Sequence, residues 1–119
     1  MKRVLILEDS VIVSKLLASL LKAKGFEVTE CESVSQAKSN LKGLDLAILD
    51  YQLPDGTGLE IAEELKRNRP DIPIFLLTAR GSHVSEDMAS KAGIKKYLEK
   101  PIDPEILMEH IDEFLMSQE

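Results

Sequence analysis

The feature that most constrains this fold is a five-fold alternation of short apolar segments with segments of helical periodicity. The apolar segments are residues 3–7, 26–31, 44–49, 72–77 and 94–99. Strands that alternate with helices along a chain form a parallel sheet with helices on both faces. The first and third segments are almost wholly apolar, as strands covered on both faces should be. The pattern predicts an α/β fold, with residues 1–119 forming one doubly wound (βα)5 domain.

Helix signals fill the gaps between these segments. Ser10 is a favourable N-cap for the first helix, and Gly25 is a favourable stop. Ser33 and Gln36 have the spacing of a capping box for a short second helix. The apolar positions expected to face the core are Val13, Leu16, Leu17, Leu20 and Leu21 in the first helix, Ala37 and Leu41 in the second, Leu59, Ala62 and Leu65 in the third, Val84, Met88 and Ala92 in the fourth, and Ile106, Leu107, Ile111, Phe114 and Leu115 in the fifth.

Composition and charge exclude several classes of function. The net charge of −6 argues against direct binding of the nucleic-acid phosphate backbone. A single cysteine, Cys31, excludes an intrachain disulfide framework and indicates a reducing cytoplasm. No apolar run approaches the length needed to span a membrane. We therefore expect a cytoplasmic domain without nucleic-acid or membrane contacts.

Acidic residues stand at the ends of two strands that the topology brings together. Right-handed crossovers give a doubly wound sheet. The flavodoxin-like order 2-1-3-4-5 makes the first and third strands neighbours, and ligands bind beyond their carboxyl ends. The first strand runs into Glu8 and Asp9, and the third ends at Asp50. Three adjacent carboxylates repel one another unless a cation joins them. Because only oxygen ligands are offered, Mg²⁺ fits best.

Two further polar residues follow the fourth and fifth strands. Thr78 and Lys100 are a hydroxyl and an ammonium group suited to holding phosphoryl oxygens. Each residue also has an ordinary structural interpretation: Asp50 as the cap of a loop, Thr78 as a helix-start residue, Lys100 as a solvated lysine. Their joint placement at the strand ends favours a functional site.

The motifs together resemble those of the receiver domains of two-component response regulators, including stand-alone chemotaxis-type regulators. The matching stretches are VLILEDS, LAILDYQLPDGTGLE, IPIFLLTA and YLEKP, which extend over essentially the whole chain. The first acid is Glu8 where many members of the family have Asp, so its side chain is longer by one methylene.

The resemblance implies a role for each matching residue. Asp50 would be the phosphorylation site, and Asp9 and Asp50 would bind Mg²⁺ directly, with the backbone carbonyl of Gln52 as a third ligand and Glu8 assisting through water. Thr78 would be the switch hydroxyl, Tyr97 the aromatic switch, Lys100 the partner of the acceptor and then of the phosphoryl group, and Pro101 the residue after a cis peptide. Gln52 and Arg80 would tune the lifetime of the phosphoryl group.

The function implied is that of a signalling switch that catalyses only its own aspartyl phosphorylation and dephosphorylation. The phosphoryl donor would be a histidine kinase or a phosphotransfer protein, and the signal would pass to a downstream output protein or an attached effector domain. Residues 103–119 contain six acidic residues and no Lys or Arg, which favours a monomer or weak dimer. Val11 and Ile12 could be exposed for contact with the kinase or could belong to the core.

Three other functions compete with this one. Aspartyl-nucleophile phosphatases place a second acid two residues after the nucleophile, where this chain has Gln52. A flavodoxin-type binding module would have a phosphate loop after the first strand, but LEDSVIVSK lacks glycine and carries two acids. A receiver that is no longer phosphorylated would be expected to lack part of the set Asp9, Asp50, Thr78 and Lys100.

Overall fold

A computed structural model describes residues 1–79 and 86–115. Within these ranges the strands are β1 Arg3–Leu7, β2 Glu27–Cys31, β3 Leu46–Asp50, β4 Gln52–Leu53, β5 Gly56–Thr57, β6 Ile74–Thr78 and β7 Lys96–Glu99. The helices are α1 Val11–Ala23, α2 Val34–Lys38, α3 Gly58–Asn68, α4 Glu86–Lys91 and α5 Pro104–Leu115. None of the helices in this part of the chain has the length and apolar character needed to cross a membrane.

Five strands form the predicted parallel sheet in the order β2-β1-β3-β6-β7. This is the predicted order 2-1-3-4-5, and it is confirmed. The two remaining strands, β4 and β5, form a separate antiparallel ladder between β3 and α3. The sequence did not predict this hairpin, since strands of two residues are too short to show a periodic pattern.

Four of the five predicted strands start one or two residues too early. The residues before β2, β3 and β6, namely Phe26, Leu44 and Ile72, are buried but are not paired in the sheet. An apolar run in the sequence indicates that residues are buried, not that their backbones pair in the sheet. The runs therefore include buried residues that precede the strands, and the predicted strands start too early. At the other end, Asp50 and Thr78 are the last residues of β3 and β6.

Alternate residues of the central strands supply two separate cores. Leu5, Leu7, Ala47, Leu49, Ile74 and Leu76 belong to the core that includes residues of α2, α3 and α4. Val4, Ile6, Leu46, Ile48, Phe75 and Leu77 belong to the core that includes residues of α1 and α5. Fully burying a side chain of this size contributes about 1.5–3 kcal/mol. The central strands are packed between the two cores, and this packing fixes the positions of their carboxyl ends.

The predicted caps are present, with one difference. Ser10 Oγ accepts a hydrogen bond from the amide of Val13, as expected for an N-cap. Ser33 Oγ accepts from the amide of Gln36 at 3.1 Å, but Gln36 Oε1 accepts from the amide of Glu32 and not from that of Ser33. The α2 capping box is therefore only half formed.

Several predicted core positions are wrong. Leu16, Met88 and Ile106 are 50%, 44% and 49% exposed, because each lies at the edge of its helix stripe and the sheet covers only the centre. Leu41 follows the end of α2 and packs at the margin of the core. Val84 and Arg80 lie outside the described residues.

The open question about α1 is answered by its first turn. Val11 is 52% exposed and Ile12 is 83% exposed, so neither belongs to the core. Together with Leu16 they leave apolar surface on α1, next to the carboxyl edge of the sheet.

Candidate functional site

Three carboxylates meet at the carboxyl edge of the sheet. Leu7 pairs with Leu49, so Glu8 and Asp50 follow side by side at the ends of neighbouring strands. One carboxylate oxygen from each of Glu8, Asp9 and Asp50 lies within 4.8 Å of the others. Glu8 is fully buried and Asp50 is 5% exposed, whereas Asp9 is exposed. The strand order therefore brings together the three acids that the sequence singled out.

Lys100 supplies the positive charge that this cluster needs. Its Nζ donates to Glu8 Oε1 at 2.7 Å and to Asp50 Oδ2 at 3.1 Å. Burial acts to lower the pKa of Lys100, but the bonds to Glu8 and Asp50 outweigh it, so the pKa is raised above its ordinary value. Lys100 is held by a backbone bond to the carbonyl of Thr78 and precedes a cis peptide to Pro101.

Glu8 has a hydrogen-bond donor on each of its two oxygens. Oε1 accepts from Lys100, and Oε2 accepts from the amide of Ser10 at 3.1 Å. The carboxylate of Asp9 is exposed, and that of Asp50 is slightly more accessible to solvent than that of Glu8. Glu8 is thus held through both of its oxygens and Asp50 through one, and Asp9 is the exposed acid of the three.

The donor set suits a divalent metal ion. Three carboxylates and one ammonium group leave a formal charge of −2 in a partly buried space, which a dication would neutralise. All the side-chain ligands are hard oxygens, as ions such as Mg²⁺ and Ca²⁺ require. Gln52 lies in β4, two residues beyond Asp50, at the base of the short hairpin.

Thr78 ends the strand next to Asp50. Asp50 pairs with Leu77, so Thr78 stands one residue further towards the edge where the acids lie. Its side chain is fully buried, and Oγ1 has no hydrogen-bond partner among the described residues. An unsatisfied buried hydroxyl costs about 1–3 kcal/mol. Such a buried group without a partner is a recognised feature of functional sites.

Tyr97 lies on a different part of the sheet from the acids. It pairs with Leu76 in the ladder between β6 and β7, and its half-buried ring packs against the core that contains Ala89 of α4. The structure therefore places Tyr97 beside the strand that ends in Thr78, not in the acidic cluster itself.

Gly58 is a residue whose role the sequence did not reveal. A Cβ atom at this position would stand 2.1 Å from the backbone oxygen of Asp50, and the amide of Gly58 donates to the carbonyl of Tyr51 at 2.9 Å. Only glycine allows the start of α3 to approach the end of β3 this closely. The available signal was the pair of glycines in PDGTG.

Comparison with known proteins agrees with this geometry. Residues 4–112 match the family model described as the response regulator receiver domain. The chain is 34% identical over 111 residues to the phosphate regulon transcriptional regulatory protein PhoB of Pseudomonas aeruginosa, covering 90% of this chain and 48% of PhoB. It spans about half the length of the PhoB relatives that it matches.

Two solved structures extend the comparison to the fold. A CheY-like receiver domain protein from Methanospirillum hungatei JF-1 superposes with a TM-score of 0.90 at 28% identity, covering 99% of this chain and 96% of that one. The response regulator TrrA from Thermotoga maritima, in complex with Mg²⁺-BeF, has a TM-score of 0.84 at 32% identity, covering 97% of this chain and 100% of TrrA. Sequence, fold and site together show that this chain belongs to the response regulator receiver domain family of two-component signalling.

Proposed function

We propose that Asp50 accepts a phosphoryl group, in a Mg²⁺-dependent reaction, from a histidine kinase or a phosphotransfer protein, and that the adduct switches a partner-binding face. The observation that carries this proposal is the Asp50 carboxylate itself. It ends a buried strand, it lies within an acidic cluster suited to a metal, and it is bonded to Lys100 at 3.1 Å. A carboxylate placed only to cap a loop would need neither neighbour.

The reaction requires an ionised Asp50 oxygen as the nucleophile. A new P–O bond forms to Asp50 while the P–N bond of the donor phosphohistidine breaks, and its electron pair returns to the imidazole nitrogen. The loose in-line transition state needs positioning and charge neutralisation rather than covalent help. Lys100 donates to both Glu8 and Asp50, so its ammonium group is placed to donate to the phosphoryl oxygens once they are bonded to Asp50.

The metal would be held by Asp9, Asp50 and the backbone carbonyl of Gln52, with Glu8 assisting through water. When bound, Mg²⁺ supplies charge neutralisation for the acceptor and the transferred group. The buried position of Glu8 and its two donors support the assisting role, since neither oxygen is free. The structure of TrrA with Mg²⁺-BeF supports the same choice of ion for this chain.

The switch is proposed to run from Thr78 to Tyr97. The Thr78 hydroxyl, which has no partner among the described residues, would move to the phosphoryl group, and the Tyr97 ring would fill the space it leaves. Both residues adjoin the surface formed by β6, α4 and β7, which we propose carries the output. The output would be a separate protein or an effector domain attached to this chain. The relative PhoB is named as a transcriptional regulatory protein, and we propose that any nucleic-acid contact belongs to such an effector rather than to this acidic domain.

The donor is proposed to dock on α1. Ile12 and Leu16 are exposed, and a cavity of about 190 Å³ lies between α1 and the segment from Lys100 to Pro104. An apolar surface beside Lys100 would let a donor histidine approach Asp50.

Four broader properties complete the proposal. Residues 1–119 act as one receiver domain, as a monomer or weak dimer. The domain is a switch rather than an enzyme, catalysing only its own phosphorylation and dephosphorylation. The proposed location is the cytoplasm, supported by the single buried free cysteine, Cys31.

The test is intact mass after incubation with a small-molecule phosphodonor, with Mg²⁺ or with EDTA. We expect one phosphoryl adduct that requires Mg²⁺ and is absent in Asp50→Asn. Asp71→Asn, the same change at an exposed turn, is the matched control and should be phosphorylated like the wild type. An adduct that persists in Asp50→Asn, or no adduct in the folded wild type while a control receiver is phosphorylated, would overturn the proposal.

A further inference from the structure

The segment that follows the acceptor strand is a two-stranded hairpin, residues 52–57, which we call the acceptor hairpin. Gln52 pairs with Thr57 and Leu53 pairs with Gly56, so the turn is at Pro54 and Asp55. A ladder of two residue pairs is too short to be stable alone. The position of the hairpin must therefore be fixed by its contacts with the rest of the domain.

One set of contacts fixes the base of the hairpin. Gly58 packs against the backbone oxygen of Asp50, and its amide donates to the carbonyl of Tyr51. The amide of Thr57 donates to Glu60 Oε2 at 2.9 Å. These contacts hold the ends of the segment but do not reach its turn.

A second set of contacts fixes the turn, and it comes from one side chain. Asp55 Oδ1 accepts from the amide of Val34 at 2.8 Å, and Asp55 Oδ2 accepts from the amide of Ser35 at 3.0 Å. The bonds from the amides of Ser35 and Val34 lower the pKa of Asp55, since they favour its charged form. Gly56 lies close to Val34, because a Cβ atom on Gly56 would be 3.2 Å from Val34 Cγ2.

The first three amides of α2 are shared between two different acceptors. The hairpin residue Asp55 takes the amides of Val34 and Ser35, and the N-cap Ser33 takes that of Gln36 at 3.1 Å. Ser33 caps the helix from its own N-terminus, as most N-caps do. Asp55 is 20 and 21 residues away from the amides it binds, so its bonds link two parts of the chain.

We propose that Asp55 is a positioning residue for the metal site. By tying the turn of the acceptor hairpin to the start of α2, it fixes the direction of the Gln52 backbone carbonyl, which belongs to the same two-pair ladder. This rests on the proposed function, in which that carbonyl is a Mg²⁺ ligand. Because coupling between two sites is reciprocal, Mg²⁺ binding should in turn hold the Asp55 bonds to α2 more firmly.

The experiment compares Asp55→Ala and Asp55→Asn with Ser33→Ala in the unphosphorylated protein, with the Mg²⁺ dissociation constant measured by NMR titration. Mutating a residue that orients a metal ligand without binding the metal itself typically weakens metal affinity by roughly 10–100-fold. We expect Asp55→Ala to bind Mg²⁺ about 10-fold more weakly than the wild type. Asp55→Asn keeps one acceptor oxygen and should fall between this variant and the wild type. Ser33→Ala removes a cap from the same helix without touching the hairpin, and it should bind Mg²⁺ like the wild type.

A second readout does not depend on affinity. Amide hydrogen exchange at Val34 and Ser35 should slow when Mg²⁺ is added to the wild type, and this Mg²⁺-dependent slowing should disappear in Asp55→Ala. If Asp55→Ala and Ser33→Ala bind Mg²⁺ equally well, or exchange at Val34 and Ser35 ignores Mg²⁺, Asp55 is only a cap of α2 and the inference is wrong. These outcomes leave phosphorylation of Asp50 untouched, whereas a wild type that binds no Mg²⁺ overturns the proposed function as well.

Discussion

At the scale of single residues, the site keeps groups that a stable core would avoid. Glu8 is a fully buried carboxylate that depends on Lys100, and removing one member of a buried ion pair leaves an uncompensated charge. Thr78 is a fully buried hydroxyl without a hydrogen-bond partner among the described residues. Such unfavourable groups are expected where the protein binds a ligand or changes state.

Thr78→Val should make the protein more stable and less functional. Valine has nearly the same shape as threonine but lacks the unsatisfied hydroxyl, so the free energy of unfolding should rise by about 1 kcal/mol. The phosphorylated variant should no longer show the chemical-shift changes that the wild type shows around Tyr97. Urea unfolding and NMR of the phosphorylated proteins measure the two effects.

Thr29→Val is the control for this change. Thr29 is a partly exposed residue of the edge strand β2 that pairs with Leu5, and its replacement should leave the switching spectra unaltered. Loss of stability in Thr78→Val would show that the hydroxyl has a partner in solution, and a hydroxyl with such a partner is not available to a phosphoryl group.

At the scale of helices and strands, most of the fold could be predicted from periodicity. Apolar runs predict the strands, and periodicity with caps predicts the helices. The order of a doubly wound sheet then brings together Glu8, Asp9 and Asp50 at the strand ends. The acceptor hairpin could not be predicted because its strands are too short to show a periodic pattern. The Asp55 bonds to α2 and the closeness of Gly58 to Asp50 could not be predicted because they depend on how separate segments pack together. The exposed stripe of α1 could not be separated from the core either, since both are apolar.

The exposed apolar residues of α1, Val11, Ile12 and Leu16, give a prediction about donor docking. Ile12 is 83% exposed, so Ile12→Ser should change the free energy of unfolding by no more than about 0.5 kcal/mol. If α1 is the docking surface, phosphotransfer from a histidine donor domain that phosphorylates the wild type should slow, while phosphorylation by a small-molecule donor stays the same. Stopped-flow or quench kinetics with both donors provide the measurement.

Ile106→Ser is the matched control, because it removes an exposed isoleucine from α5 instead of α1. Phosphotransfer should slow in Ile12→Ser alone. If Ile12→Ser and the wild type accept the phosphoryl group from the histidine donor at equal rates, the exposed surface of α1 is not the docking surface.

At the scale of the whole molecule, the site and the fold share one electrostatic problem. The acids sit on the ends of strands that belong to both cores, so their repulsion acts on the folded state as a whole. Lys100 offsets part of this repulsion, and a dication would offset the rest. Metal binding and folding stability should therefore be linked.

The resulting prediction is that Mg²⁺ stabilises the wild type, by about 2.7 kcal/mol at a concentration 100 times the dissociation constant. Asp50→Asn removes one of the three acidic charges, so it should be more stable than the wild type without Mg²⁺ and should gain less when Mg²⁺ is added. Urea unfolding of both proteins, with NaCl matching the ionic strength, measures the two differences. If the two proteins gain equally, Mg²⁺ acts by general screening and the strand-end acids do not form its site. A larger gain in the wild type means that the ion is bound where the carboxyl ends of β1 and β3 meet.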